Sequence, residues 1–477
     1  MPDAGFWRMS ASELLVGYAR RDFSPVEVLR ELYARVEQLN PKLSSFLALN
    51  TDDAFEAAQA AEDAWRSSGE KPLLCGVPVS IKDSIELEGL PTTYGSLPFK
   101  DNRQPDSELV GRVRRAGGVI TGKTNLPEFA LYSGVDNKLG PPGRNPWDLD
   151  RTCGGSSGGA ASSVAAGLGP LAIGTDSGGS IRTPAAVNGI FGLKPTYQRM
   201  PAVQTWRAAP GRSHNGPMTR TVRDSALLLR ALAGYDSRDP ESNLPPEDDY
   251  LEFARGGIRG LRLAVSYDFG RGYKANREAL AFVKEAAELY AELGCEVAEA
   301  DPPTLEEPEE LEPGVWAYAG DHYAAAEAMI PDFLEKHLDD LMPYSRPIYE
   351  AAPRAKAWLY RRTVLRNRAY GRRMQHWFRD FDFLLCPLVG PAVRVEDVKA
   401  RNRSRPPRSF VLPFNHTYNP AAAVPFGFSA DGLPLSVQVV GRLYDDVGVL
   451  RMSAAIEQAR PWGHRWPKLA ESPAQAD

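Results

Sequence analysis

Apolar positions near the start of the chain repeat with the period of an α-helix. Ser24-Pro25-Val26-Glu27 has the form of a capping box with proline at the first helical position. The apolar residues that follow recur on one helix face: Val28, Leu32, Val36 and Leu39. A second amphipathic stretch over about 53–66 ends near a Ser-Ser-Gly sequence. The pattern therefore predicts two N-terminal helices.

From about residue 73 the pattern changes to short apolar runs bounded by glycine and proline. These runs predict strands over 77–81, 118–122, 168–174, 261–265, 383–387 and 435–440. Helical patterns lie between them, over 107–116, 157–167, 221–233 and 276–293, and helices of mixed polarity are expected over about 315–380. Alternation of helix and strand predicts an α/β sheet. No repeat and no break in composition calls for separate domains.

The composition of the 477 residues is that of an ordinary globular protein, with 43% hydrophobic and 25% charged residues. The net charge of −5 argues against a general nucleic-acid-binding protein, which usually carries a basic patch. One basic segment, 401–408, contains two prolines and is predicted to be a solvated loop.

The chain has no apolar run of 18 residues, so no membrane-spanning helix is expected. The N-terminus lacks the pattern of a secretory signal. The four cysteines are scattered without a CxxC pair, so neither a disulfide framework nor a zinc site is predicted: Cys75, Cys153, Cys295 and Cys386. A cytoplasmic protein with reduced thiols is expected.

Two serines framed by glycines and one upstream lysine carry the candidate chemistry. Residues 154–159 read Gly-Gly-Ser-Ser-Gly-Gly, and Ser180 closes a second run that starts at Gly174. Hydrolysis of an amide needs an activated nucleophile, a base and donors for the oxyanion. Lysine can be the base only when neutral, and burial lowers its pKa to roughly 7–8 in working enzymes. Lys82 follows an apolar run and suits that role, provided that Asp83 points elsewhere.

Each of these features also has a plainer interpretation. A serine in a glycine-rich loop is most often a turn residue, and a lysine after a strand is usually solvated. Residues 154–158 also fit the G-x-S-x-G pattern of α/β-hydrolases, which requires a later acid and a histidine such as His416 or His464. A phosphate-binding loop is disfavoured because no Gly-Lys-Ser/Thr follows the glycines.

Taken together, the motifs resemble those of the amidase signature family. The similarity is strongest over about 65–235 and weaker over about 380–467. Ser156 and Ser180 are separated by 24 residues, a spacing similar to that of the family. The matching segments, all in order, are Gly76-Val-Pro-Val-Ser-Ile-Lys82-Asp83, Ala116-Gly-Gly-Val-Ile-Thr-Gly-Lys-Thr-Asn125-Leu-Pro-Glu128, Asn145-Pro-Trp147, Gly154 to Ala185, Phe191-Gly-Leu-Lys-Pro195-Thr196, Gly216-Pro-Met-Thr-Arg220-Thr-Val-Arg223-Asp224 and Gly432-Leu-Pro-Leu-Ser-Val-Gln438-Val-Val-Gly441.

The resemblance implies a Ser-Ser-Lys triad, with Ser180 as nucleophile, Ser156 as bridging serine after a cis peptide bond, and Lys82 as base. It implies an oxyanion hole made by a row of backbone N–H groups: Ser177, Gly178, Gly179 and Ser180. Ser157, Asp176 and Arg182 would support that turn. No cofactor or metal is implied.

The implied fold is a single α/β/α domain over 1–477, with a large mixed twisted β-sheet covered by helices. Within it we expect four parts: N-terminal helices over 1–65, a catalytic core over 65–235, a variable substrate-shaping region over 236–380, and returning strands with a C-terminal helix over 381–470.

The function that the resemblance implies is hydrolysis of acyl or aryl amides through an acyl-enzyme, with esters and carbamates (urethanes) as further substrates. The expected partner is a small molecule, with no nucleic acid and no membrane. The oligomeric state stays open, and a homodimer is suggested only by analogy.

Two alternatives remain at this point. The first is a glutamine-hydrolysing amidotransferase subunit that needs a partner. The second is a non-catalytic amidase-like binding protein, which has no need to keep Lys82, Ser156 and Ser180 together. Residues 413–421 resemble general amidases, and 409–415 contain no acid of the kind that the amidotransferase subunit usually has upstream.

Overall fold

The computed structural model describes residues 5–202, 211–239, 242, 250–304, 319–398 and 409–471. The basic segment 401–408 lies outside the described residues. The α-helices are α1 (Ala11–Arg20), α2 (Pro25–Leu43), α3 (Thr51–Arg66), α4 (Glu108–Arg115), α5 (Gly158–Ala165), α6 (Arg182–Asn188), α7 (Val222–Leu232), α8 (Arg277–Glu292), α9 (Ala319–Met329), α10 (Phe333–His337), α11 (Arg346–Ala351), α12 (Ala357–Trp377), α13 (Pro413–His416), α14 (Asp446–Ala459) and α15 (Lys468–Glu471). Short 3₁₀ turns cover 6–8, 97–99, 128–130, 250–252, 338–340 and 352–354.

The strands are β1 (Phe46–Leu49), β2 (Pro78–Lys82), β3 (Val119–Thr124), β4 (Arg144–Asn145), β5 (Asp148–Thr152), β6 (Leu171–Asp176), β7 (Phe191–Lys194), β8 (His214–Thr219), β9 (Arg262–Val265), β10 (Glu296–Glu299), β11 (Phe383–Pro387), β12 (Ala421–Phe428) and β13 (Pro434–Gly441). Eleven of them form one sheet in the order β1-β3-β2-β6-β8-β7-β12-β13-β11-β9-β10, and β4 and β5 form a separate ribbon. The sheet is mixed: β2 runs parallel to β3 and β6, whereas β8 is antiparallel to β6 and β7.

Helices cover both faces of this sheet, as the alternation along β6 illustrates. Leu171 and Ile173 join a large apolar cluster with α7, α8 and α14, whereas Ala172 faces a smaller cluster with α5 and α6. Successive side chains of a strand point to opposite faces, so the strand is buried from both sides. The predicted α/β/α architecture around a mixed sheet is confirmed.

The predicted N-terminal helices are present with their predicted cap. α2 starts after Ser24, whose Oγ accepts the N–H of Glu27 at 3.3 Å, while the Glu27 carboxylate accepts the N–H of Ser24 at 2.8 Å. The helices predicted within 315–380 are α9 to α12, of which α12 is the longest. The four divisions of the domain stay predictions.

Three central strands are absent from the prediction. β7, β8 and β12 contain glycine, proline or alanine in place of a long branched apolar run. They are strands because the sheet supplies partners on both sides of each, which short-range patterns do not show.

All four cysteines are free thiols, and their side chains are buried. Among the helices of the described residues, none has the length and apolar character needed to cross a membrane.

Candidate active site

The site forms where two parallel strands end side by side. β2 and β6 are hydrogen-bonded neighbours in parallel register, so their carboxyl ends lie at the same edge of the sheet. Ligands of α/β sheets bind at that edge. Lys82 is the last residue of β2, and Thr175 and Asp176 are the last two residues of β6. The fold therefore brings residues 93 positions apart into contact.

The Lys82 side chain is completely buried and touches two hydroxyl groups. Its Nζ lies 2.7 Å from Ser156 Oγ and 2.7 Å from Thr175 Oγ1. Burial lowers the pKa of Lys82 to about 7, although the negative charge of Asp176 opposes that shift. An ammonium group without a directly contacting carboxylate is destabilised relative to the neutral amine. Lys82 is accordingly poised to accept a proton near neutral pH.

Asp83 points away from Lys82, as predicted. Its carboxylate lies 3.0 Å from Nζ of Lys123, a second fully buried lysine on β3, and accepts the N–H of Thr93 at 3.1 Å. Asp83 therefore forms an ion pair with Lys123, whereas the adjacent Lys82 contacts Ser156 and Thr175.

Ser156 lies in the loop before α5, where the Gly155–Ser156 peptide bond is cis, as the resemblance implied. A Cβ at Gly155 would lie 2.6 Å and 2.7 Å from the carbonyl oxygens of Gly134 and Tyr132, so only glycine fits there. Ser157 connects this loop to β6. Its Oγ accepts the N–H of Thr175 and donates to the Thr175 carbonyl, both at 3.2 Å.

The loop that carries Ser180 lies directly against the Ser156 loop. The N–H of Ser157 donates to the carbonyl of Ser180 at 3.1 Å. Ser180 is half-buried and Gly178 is exposed, so a small molecule can reach this loop from solvent. Gly179 has a φ of +108°, which favours glycine, and a Cβ there would collide with Val411.

The Asp176 carboxylate accepts hydrogen bonds from backbone N–H groups of that loop. It accepts the N–H of Gly179 at 2.6 Å and the N–H of Ile181 at 3.1 Å. The N–H of Gly179 is thus engaged by a carboxylate in this conformation. Of the four N–H groups predicted to form an oxyanion hole, those of Ser177, Gly178 and Ser180 do not bond to this carboxylate and stay candidates for that role.

Arg182 is the buried counterion of Asp176. It contacts both carboxylate oxygens at 3.0 Å and also donates to Asn415 Oδ1 and Gln438 Oε1, both at 2.8 Å. Burial by itself would raise the pKa of Asp176, but Arg182 and Asn415 hold it well below its usual range. The carboxylate therefore stays ionised, and the loop stays tied to β13.

Four residues of this site have no predicted role. Thr175 touches Lys82, Gln438 touches Arg182, and Asn415 and His214 both contact the Asp176 carbonyl. Thr175 and Gln438 lie within the matching motifs, so the motifs could have identified both as candidate site residues. Asn415 lies in the segment 413–421 that resembles general amidases, but its residue type alone did not indicate a contact with Asp176. His214 lies outside the matching motifs and reaches the site because β8 pairs with β6.

The arrangement disfavours the α/β-hydrolase interpretation of the first glycine run. Ser156 is paired with a lysine, whereas His416 is buried against α12 and lies 3.0 Å from Nδ2 of Asn367. His464 lies in an exposed turn after α14.

Sequence comparisons identify relatives over most of the chain. A family model described as Amidase matches residues 27–450. An acylamidase from Rhodococcus erythropolis is 37% identical to this chain over 96% of the chain and 97% of the relative. A subunit of the glutamyl-tRNA(Gln) amidotransferase from Anaeromyxobacter sp. (strain K) is also 37% identical, over 94% of this chain and 96% of its own length.

A solved structure gives the same result at the level of the fold. The crystal structure of a bacterial aryl acylamidase of the amidase signature enzymes superposes with a TM-score of 0.86 at 29% identity. The match covers 98% of this chain and 99% of that one.

Proposed function

Because the chain belongs to the amidase signature family and is a hydrolase of carbon–nitrogen bonds, we propose that it is a stand-alone amidase that works through Ser180, Ser156 and Lys82. The observation that carries this proposal is the contact of a fully buried lysine with Ser156 Oγ at 2.7 Å, beside the half-buried Ser180. A buried lysine whose close contacts are hydroxyl groups and not a carboxylate is typical of a catalytic base.

In the proposed acylation step, Ser180 Oγ attacks the amide carbonyl and its proton passes through Ser156 to Lys82. The N–H groups of Ser177, Gly178 and Ser180 hold the oxygen that becomes negative. When the intermediate collapses, the carbon–nitrogen bond breaks and Lys82 returns the proton, through Ser156, to the leaving amine. Because the proton is returned, the base needs a pKa near the working pH.

Water then releases the acyl group by the same route. It attacks the Ser180 ester, gives a proton to Ser156 and Lys82, and the proton goes back to Ser180 as the acid leaves. Esters and carbamates present the same acyl carbon with a different leaving group, so they are included in the proposed range. Acyl and aryl amides are placed first because acylamidases are among the relatives and structural neighbours.

A glutamine-hydrolysing amidotransferase subunit is the second candidate. Identity does not separate the two, since relatives of both kinds are 37% identical to this chain. The stand-alone amidase is favoured because Ser409, Phe410, Val411, Leu412 and Pro413 include no acid to bind a glutamine amino group. Val411 and Leu412 instead present apolar side chains to the Gly178–Gly179 turn.

The proposal is tested with a substrate panel on the purified chain. The panel contains p-nitroanilides, primary amides, p-nitrophenyl esters, carbamates and L-glutamine, and a fluorophosphonate probe reports the nucleophile by peptide mapping. We expect turnover of aryl or acyl amides without a partner and probe attachment at Ser180. Turnover of glutamine alone, or attachment at another residue, would contradict the proposal.

The pH profile provides a second expectation. Protonated Lys82 cannot accept a proton, so kcat/KM should rise with pH and reach half its plateau near pH 7, the pKa to which burial lowers Lys82. The measurement is kcat/KM for a non-titrating anilide between about pH 5.5 and about pH 9. A profile that is flat across the neutral range would exclude Lys82 as the base.

The half-buried Glu457 also titrates in this range and supplies a control. Burial raises the pKa of Glu457 to about 7, but Glu457 accepts the N–H of Val222 at the start of α7, away from Lys82. Glu457→Gln retains an acceptor for that N–H, so the midpoint of the profile should not move. The buried His416 does not interfere, because burial lowers its pKa to about 3.

A further inference from the structure

His214 lies next to the loop that follows Asp176 and carries Ser180. It is the first residue of β8 and is paired in antiparallel register with Asp176, the residue from which the loop departs. Its side chain is buried, with 3% exposure, and Nδ1 lies 3.1 Å from the Asp176 carbonyl oxygen. The same carbonyl oxygen receives Nδ2 of Asn415 at 2.8 Å. Two side chains from distant parts of the chain therefore converge on one peptide group.

The hydrogen-bond pattern defines the tautomer of the ring. Arg182 donates to Asn415 Oδ1, which identifies the other amide atom of Asn415 as nitrogen. Both hydrogens of that nitrogen are used by Asp176, one at the carbonyl oxygen and one at Oδ1, at 2.8 Å and 2.9 Å. Asn415 Nδ2 also lies 3.4 Å from His214 Nδ1, but its two hydrogens make the shorter bonds to Asp176, and the carbonyl can only accept. His214 Nδ1 must therefore carry the proton.

The ring is neutral and is held mainly by this bond. Burial keeps the pKa of His214 well below its usual value, and the nearby Lys194 and Arg182 act in the same direction, while Asp176 opposes them. Nε2 has no hydrogen-bond partner among the described residues, and the ring packs edge-on against Tyr197 at 5.2 Å. The bond from Nδ1 to Asp176 is accordingly the polar contact that distinguishes histidine from an apolar side chain here.

The orientation of the Asp176–Ser177 peptide follows from these contacts. In a trans peptide the C=O and N–H groups point in opposite directions, and the cis bond of this site lies at Gly155–Ser156 in the neighbouring loop. Because the Asp176 carbonyl is held towards His214 and Asn415, the N–H of Ser177 must point away from both. The Ser177 N–H is one of the remaining candidate oxyanion donors, because the N–H of Gly179 is already bonded to the Asp176 carboxylate.

We propose that His214 is a positioning residue for amide hydrolysis, which aims the N–H of Ser177 at the oxyanion by holding the Asp176 carbonyl together with Asn415. This inference rests on the proposed function, because it assigns His214 to the oxyanion-binding loop of that reaction. His214 itself does not touch the substrate. Its contribution is to keep a donor preorganised, which is where oxyanion holes gain their effect.

Two substitutions separate the hydrogen bond from the volume of the ring. His214→Leu fills much of the space but has no donor. His214→Asn can place its amide nitrogen near the position of Nδ1. We expect kcat for a p-nitroanilide to fall about 10-fold in His214→Leu with KM changed less than about twofold, because the lost interaction acts in the transition state. His214→Asn should stay within about threefold of wild type.

A second readout is the binding of a trifluoromethyl ketone, whose adduct with Ser180 carries an oxyanion. Its affinity should fall in parallel with kcat in His214→Leu, whereas binding of the carboxylic acid product should not change. Equal losses in the two variants, or a change in KM alone, would overturn the inference in favour of a packing role. If His214→Leu does not fold, ¹⁵N NMR of histidine-labelled wild type determines the tautomer, with His214→Asn as the reference that lacks the His214 signals. A proton on Nε2 would also overturn the inference.

The two proposals fail in different ways. If turnover survives in Ser180→Ala, the proposed function is wrong whatever His214 does. If turnover depends on Ser180 but His214→Leu retains wild-type kcat and inhibitor affinity, only the role of His214 is wrong.

Discussion

Ser180→Ala should reduce kcat/KM for amides by at least about 10⁴-fold and abolish labelling by a fluorophosphonate, while the protein stays folded. Ser180 is half-buried at the open side of the loop, so loss of one hydroxyl removes the attacking atom without opening a cavity in the core. The measurement is steady-state turnover beside a thermal unfolding curve. The unfolding temperature should match that of wild type.

A buried serine of the neighbouring helix gives the matched control. Ser163 on α5 is 1% exposed and donates to the carbonyl of Ala160 at 2.9 Å, a bond made within the helix. Ser163→Ala should keep both turnover and labelling. If Ser180→Ala retains turnover or remains labelled, the nucleophile is another residue and the proposed relay must be abandoned.

Replacement of Lys82 by methionine is expected to lower kcat/KM by roughly 10²- to 10⁴-fold, the usual contribution of a general base. Methionine keeps most of the length and volume of the side chain but cannot take the proton from Ser156. Residual turnover should no longer show the rise near pH 7. A variant with wild-type rate and an unchanged pH profile would assign the base elsewhere.

The stability of the same variant provides an independent check. Lys82 titrates at about pH 7 in the folded protein and near 10.4 when unfolded, so between these values the unfolded chain binds more protons. Stability from this residue is therefore lost as the pH falls from about 10.4 towards 7 and changes little below that. Lys82→Met removes this penalty, and its free energy of unfolding slightly above neutral pH should not decrease.

Lys123 is the matched comparison, because it is equally buried but is paired with Asp83. Lys123→Met leaves a buried carboxylate without its cation, which typically lowers the free energy of unfolding by about 3–5 kcal/mol. We expect chemical denaturation to show this loss for Lys123→Met and not for Lys82→Met. Similar losses in both would mean that Lys82 has a structural role comparable to that of Lys123.

The sequence by itself was informative wherever structure depends on nearby residues. The capping box at Ser24 and the apolar runs of β2 and β11 predicted elements that the structure contains within one residue of the predicted bounds, and β6 is present two to three residues further along than predicted. The ordered motifs around Lys82, Ser156 and Ser180 indicated the family, since glycine spacing and flanking residues are local properties of the chain. The cytoplasmic location and the homodimer remain predictions.

Only the tertiary structure decided how these parts meet. β8 and β12 are strands because of neighbours far along the chain, and Asn415 reaches Asp176 across 239 residues. The engagement of the Gly179 N–H by Asp176, the contact of Thr175 with Lys82 and the placement of His214 all depend on the order of strands in the sheet. The residue types of the site follow from the sequence, whereas burial, which sets the pKa of Lys82, and the direction of each backbone donor arise only when distant segments pack together.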